Sequence, residues 1–367
     1  MPDPRIAKLA KVLVHYSVEL QKGQQVLLRT SPIADELTLA VHEEIVKAGA
    51  HPFITNEAPG TKETFYKFAS DDQLDYVSPV DNLIVETFDA YIHLWADYNT
   101  RDLSGIDPSR VARSRKARAA INQHFLKRAA EGKLRWSLTV YPNYAMAQEA
   151  DMSLRDYAEF VYGAGMLNEA DPVAFWRAEA SKQQQLINWV KGHDNAVLQG
   201  SNVDITLSIK DRFFIESAGK ENFPDGEIFT GPVEESVNGW IRFTYPAIFS
   251  GQEIHDIELW FENGKVVRER ASKNQALLTS ALNTDAGARF LGEWGIGTNY
   301  AIQRFTKNML FDEKIGGTIH FAVGAGYPES GSKNESGLHW DMLCDMSDSE
   351  ITVDGDLFYK NGHTVIP

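Results

Sequence analysis

The periodicity of the apolar residues changes once along this 367-residue chain, at Gly192-His193-Asp194-Asn195. Before that point helical and extended patterns alternate. Ile6, Leu9, Ala10, Leu13, Val14 and Val18 recur at helical spacing, so residues 5–22 read as an amphipathic helix closed by Gly23. Residues 25–29 read as a strand, and Ser31-Pro32 opens a helix that buries Leu37, Val41, Ile45 and Val46. His51-Pro52-Phe53-Ile54 returns as a strand. Further strands are expected at 90–95 and 135–140, with a helix over 109–131 between them. Helices then run from an N-cap at Ser153 to about Lys191, the second starting at Asp171-Pro172. Helices that alternate with strands build a parallel sheet.

After the break the period falls to two. VDITLSI, RFFIES, GWIRF, EIHDIELWF and KVVRERA alternate apolar and polar residues between turn signals, and Asn263-Gly264 marks a tight hairpin. The expected fold is therefore an α/β N-terminal domain over residues 1–195 and a mostly antiparallel β (α+β) domain over 196–367. Two cores also suit the length, which exceeds what one usually supports.

Composition removes several function classes. The formal charge of -15 repels phosphate backbones, so no nucleic-acid partner is expected. The one basic cluster, Arg110, Arg113, Arg115, Lys116 and Arg118, reads as a solvated helix face. No apolar run is long enough to span a bilayer, and Lys8 and Lys11 interrupt the N-terminal apolar stretch, so neither a membrane nor a secretory signal is expected. A single cysteine, Cys344, excludes an internal disulfide and a thiolate-rich zinc site. It suits a reducing cytosol, and its neighbours Met342 and Leu343 mark it as a small core residue.

Five metal-type side chains lie in the last part of the chain: Glu227, Glu293, His320, His339 and Asp341. Three carboxylates and two imidazoles suffice for a close pair of divalent cations. His339 and Asp341 are two apart, so in a strand they share a face while Trp340 and Met342 take the other. His320 sits in the β-prone run Thr318 to Val323, before Gly324. Glu227 follows the turn sequence Asn222-Phe223-Pro224-Asp225-Gly226, and Glu293 is read as following a short helix capped by Thr284 or Asp285 and closed by Gly292. The glycine pairs Gly295/Gly297 and Gly324/Gly326 read as tight turns near the site, not as phosphate cradles. Singly, each of the five has an ordinary alternative: a surface His-Asp pair, a core histidine, or solvated glutamates.

These segments resemble motifs of the thermophilic-type metallo-aminopeptidases, the aminopeptidase T and aminopeptidase S family. The resembling runs are 222–230, 291–293, 311–314 with 318–324, and 336–342, together with the N-terminal run from Leu9 to Phe53. The resemblance implies two divalent metal ions per chain (zinc, cobalt or manganese) held by Glu227, Glu293, His320, His339 and Asp341. It implies release of N-terminal residues from peptides, two domains, and a homodimer that encloses its sites. It implies a role for Tyr327 beside the metals, and Tyr327 is the candidate oxyanion donor. Glu313 is the candidate general base, and Glu293 or Glu227 the bridging carboxylate. Two rivals stand beside a metal-dependent aminopeptidase in the cytoplasm: a dinuclear hydrolase of another amide or ester, and a non-catalytic peptide-binding dimer.

Overall fold

The computed structural model describes residues 3–366. The chain divides into two compact units, one of residues up to Val173 with Gly219–Pro224, the other of Ala174–Ala218 with Asp225–Pro367. The segment 174–195 lies in the second unit, where Leu186 and Val190 join the apolar core. The helical periodicity alone had put it in the first.

The first unit is built on a five-stranded, all-parallel sheet. Its order is His51–Asn56, Gln25–Thr30, Ala90–Trp95, Arg135–Val140, Asn222–Phe223. Apolar residues of the central strands (Val26, Leu28, Ile92, Leu94) are buried. Asp3 caps the first helix, but the α-helix runs only over Pro4–Val12. A wider π turn, Leu13–Ser17, replaces its expected continuation, so Gly23 turns the chain into the first strand instead of closing a helix. The helix expected over 109–131 is two helices, Pro108–Ala117 and Ala119–Ala130. The basic cluster is partly spent on internal bonds. Arg113 pairs with Asp71 and Asp75, and Arg118 with Asp81. Arg110 donates to the carbonyls of Tyr66 and Ala69.

The second unit is antiparallel. An eight-stranded sheet and a five-stranded sheet share one apolar core. The hairpin expected at Asn263-Gly264 joins Glu258–Glu262 to Lys265–Arg270, and both turn residues have positive φ. Cys344 is a buried core thiol. No helix among the described residues is long and apolar enough to cross a membrane.

Candidate metal centre

The five-stranded sheet has two chemically opposite faces. Its order is His339–Asp345, Thr318–Gly324, Leu291–Gly297, Glu227–Thr230, Ile215–Ser217, and every pairing is antiparallel. Residues paired directly across such a sheet share a face. Ile228, Trp294, Ile296, Ile319, Phe321, Val323, Trp340, Met342 and Cys344 alternate onto one face and belong to the core. The register places Glu227 opposite Gly297, His320 opposite Gly295, Glu293 and Asp341 opposite Ala322, and His339 opposite Gly324. All five candidate ligands therefore project from the other face, on four adjacent strands.

Glu293 reaches that face through an irregularity that the sequence reading missed. The helix before it ends at Leu282. Asp285 does not cap a helix: its carboxylate accepts from the backbone of Gly287, Ala288 and Gly337 and from the Ser336 hydroxyl. Glu293 lies within a strand, as do Gly295 and Gly297, which are not turn residues. Leu291 pairs with Val323 and Glu293 with Ala322, so Gly292 is an extra residue in the ladder. Without that bulge, Leu291 and Glu293 would point the same way, and the carboxylate would enter the core. With it, Leu291 stays in the core and Glu293 turns outward.

The side chains converge. His320 Nε2 lies 3.2 Å from Glu293 Oε1 and 3.5 Å from Glu227 Oε2. His339 Nε2 lies 3.5 Å from Glu293 Oε2 and 3.5 Å from Asp341 Oδ2. The His339 Nδ1–H donates to the Ala325 carbonyl at 2.7 Å, which fixes the ring and leaves Nε2 facing the carboxylates. Two groups bring their ligand atoms within 4.8 Å of one another: Glu293, His339 and Asp341, and Glu313, His320 and Asp341. Glu313 therefore does reach the cluster. It caps the short helix Met309–Asp312, and the Gly316-Gly317 turn, with Gly317 at φ 93°, leads into the His320 strand. Tyr327 stands at the rim, its ring 5.4 Å from that of His339 and 5.4 Å from that of Phe229.

Lys314 is a participant that the sequence reading passed over. It is fully buried among carboxylates: Nζ donates to Glu227 Oε1 and to Glu313 Oε1, each at 2.5 Å, and Asp225 Oδ1 is 3.7 Å away. No periodicity points to it. The only signal was its position next to Glu313 in a resembling motif.

The electrostatics are those of a cluster that holds protons in place of cations. Burial pushes the Glu227 carboxyl up to about 8, partly offset by Lys314. Burial likewise raises Asp341 to about 6. His320 is raised to about 10, because the Glu293 bond and the surrounding carboxylates outweigh burial. Burial opposes ionisation of Glu313, yet Lys314 and His320 hold it below the usual carboxylate range. Lys314 itself is held well above its ordinary value by Glu227 and Glu313, against its burial. Burial, then Glu293 and Asp341, raise Tyr327, so its hydroxyl keeps its proton.

The residues fit divalent cations. Glu227 Oε2 and Asp341 Oδ1 are buried acceptors without a hydrogen-bond partner. Acceptors of this kind, facing imidazole nitrogens, suit a cation between them. Gly295 leaves the space in which the His320 ring lies.

Comparison with known proteins identifies the family of the chain. The model of a family described as thermophilic metalloprotease (M29) matches residues 2–365. Aminopeptidase T of Thermus thermophilus is 26% identical over 97% of this chain and 95% of its own. Aminopeptidase 2 of Geobacillus stearothermophilus is 24% identical over 96% of this chain and 94% of its own. The solved structure of wild-type AmpT from Thermus thermophilus superposes with a TM-score of 0.87 at 22% identity, covering 99% of each chain.

Proposed function

The chain belongs to the thermophilic metalloprotease (M29) family and is a metallo-aminopeptidase, and from that premise we propose how its residues divide the work. The observation that carries the proposal is the projection of Glu227, Glu293, His320, His339 and Asp341 from one face of one sheet. These five hold two divalent ions. Glu293 would hold the ions between the two imidazoles, since one of its oxygens faces His320 and the other His339. Glu227 would offer its Oε2, because Lys314 already donates to its Oε1. When bound, such ions supply Lewis acidity that activates water and polarises a peptide carbonyl. Oxygen-rich ligation with two imidazoles suits zinc, cobalt or manganese.

Glu313 is the general base. Lys314 keeps it ionised at the edge of the cluster, where it takes a proton from the attacking water and passes it to the leaving amine. Tyr327, still protonated and partly exposed, donates its O–H to the oxyanion. The carboxylates not neutralised by cations attract the free ammonium of a peptide N-terminus, which gives the exopeptidase preference a physical cause. Lys314 is a positioning residue that ties Glu227 and Glu313 together through its Nζ. A homodimer in the reducing cytosol is the proposed setting. The single buried thiol supports the compartment, and kinship to the family supports the dimer.

The test is hydrolysis of aminoacyl reporters and their N-acetylated forms, with and without chelator, then with each metal restored. Cleavage of free-amine reporters only, lost on chelation and regained with metal, is the expected result. Cleavage of blocked reporters would move the enzyme to a broader amide or ester hydrolase, and no cleavage with any metal would overturn the reading.

A further inference from the structure

The first unit carries polar groups where a parallel sheet normally carries none. Strands in the middle of such a sheet are covered on both faces and read as apolar runs. Here Arg29 and His93 face each other across the two strands Gln25–Thr30 and Ala90–Trp95, at the carboxyl ends of both. His93 is largely buried and makes no hydrogen bond among the described residues. Burial, with Arg29 and Lys62 nearby, pushes its pKa down to about 3, so the ring is neutral and offers one donor and one acceptor. The His93 ring packs beside that of Tyr91 at 6.2 Å, and Arg29 donates to Glu57.

The pair opens into a cavity of about 230 Å³. The strand order reverses at this place. From Gln25–Thr30 the chain crosses to one neighbour, His51–Asn56, and the next strand, Ala90–Trp95, lies on the other side. Connections that diverge from two such strands leave a crevice at their carboxyl ends, where open α/β sheets bind ligands. The walls come from segments that follow strands of this sheet: Glu57 and Lys62 after His51–Asn56, Asp97 and Asp102 after Ala90–Trp95. Trp95 closes one side, with its indole N–H held by Asp97 Oδ2 at 2.7 Å.

The charges select the ligand. Arg29 is 3.2 Å from Glu57, and Lys62 only loosely paired with it at 3.9 Å. A simple anion would meet Glu57, Asp97 and Asp102, and a simple cation would meet Arg29 and Lys62. A small molecule carrying both charges satisfies both sets. The volume is below the roughly 300–1,000 Å³ of sites for drug-sized ligands, which limits the occupant to a small molecule.

We propose that this cavity is a second ligand site that binds a free α-amino acid, its carboxylate toward Arg29 and Lys62 and its ammonium toward Asp97 and Asp102. The choice of an amino acid over other small zwitterions rests on the aminopeptidase reading, since that reaction releases amino acids.

The experiment is calorimetric titration of the chelator-treated, full-length protein with L-leucine, N-acetyl-L-leucine and L-leucinamide. No turnover is involved, so its outcome is separate from that of the reporter assay. The expected result is saturable binding of leucine, with each half-charged probe weaker by about ten-fold or more. Arg29→Met and Asp97→Asn should lose the binding, whereas Glu293→Gln should keep it. Lys62→Ala, in an exposed helix, gives a variant whose folding is not at stake and should weaken leucine similarly. Absence of saturable binding, equal binding of the half-charged probes, or binding lost in Glu293→Gln but kept in Arg29→Met and Lys62→Ala would overturn the proposal.

Discussion

Gly295 lies directly across the sheet from His320, and a Cβ on Gly295 would stand 2.0 Å from the imidazole Cε1 and 2.1 Å from Nε2. The ring that faces Glu227 and Glu293 therefore lies over the one residue type that lets it. Gly295→Ala must push His320 off its position or bend the ladder. The expected cost is about 1–3 kcal/mol from overpacking, together with a loss of metal affinity. Thermal unfolding of the chelated protein reads the first effect, and metal content after dialysis reads the second. Unchanged metal content in Gly295→Ala and also in His320→Ala would show that His320 is not a ligand.

Lys314→Met removes the cation between Glu227 and Glu313. Two buried carboxylates then lose their compensation, and breaking a buried pair this way costs roughly 3–5 kcal/mol. The metal-free variant should melt well below the metal-free parent, and added metal should recover part of the difference. Lys314→Arg should retain more stability than Lys314→Met. Equal melting of parent and Met variant would remove the positioning role.

Tyr327→Phe should leave metal content and melting temperature unchanged while lowering kcat by about 100- to 1,000-fold, the usual effect of losing one oxyanion donor. The hydroxyl is at the rim and partly exposed, so its removal leaves no cavity. A change confined to KM would make Tyr327 a substrate contact instead.

The metal-free protein should lose stability as the pH rises. Glu227 is raised to about 8 and His320 to about 10 in the folded state, each above its unfolded value. The folded chain thus binds more protons than the unfolded chain, from about pH 4.5 to 8 for Glu227 and about pH 6.5 to 10 for His320. Each contribution is complete below the unfolded pKa and disappears as the pH passes the folded one. Metal displaces those protons, so its stabilising effect should grow over the same range. Melting curves at pH 6 and pH 9, with and without metal, check both slopes. A metal-free protein more stable at pH 9 than at pH 6 would contradict the assignment.

Legibility from sequence followed the range of each interaction. His339 and Asp341 could be placed on one face because alternation within a strand is local, and the structure puts Trp340 and Met342 on the other face. Glu293 was misplaced because the bulge at Gly292 is defined by its partner strand, not by its neighbours. Lys314 carries no periodic signal, and its carboxylates arrive from Asp225 and Glu227, far away in sequence. The strands around Arg29 and His93 were legible as strands. That the two polar residues face one another is a matter of sheet order, which neither segment encodes alone.

The two-faced sheet also governs how this protein can change length. Along Thr318–Gly324 and His339–Asp345, core residues alternate one by one with residues of the face that carries the candidate ligands His320, His339 and Asp341. Gain or loss of a single codon inside either strand would exchange the faces beyond that point, sending imidazole or carboxylate inward and indole or thioether outward. Substitutions here can be graded, but indels cannot. Length variation in this half of the unit is therefore expected outside these strands and away from Ala325, whose carbonyl holds His339, and from Tyr327, which packs on that ring.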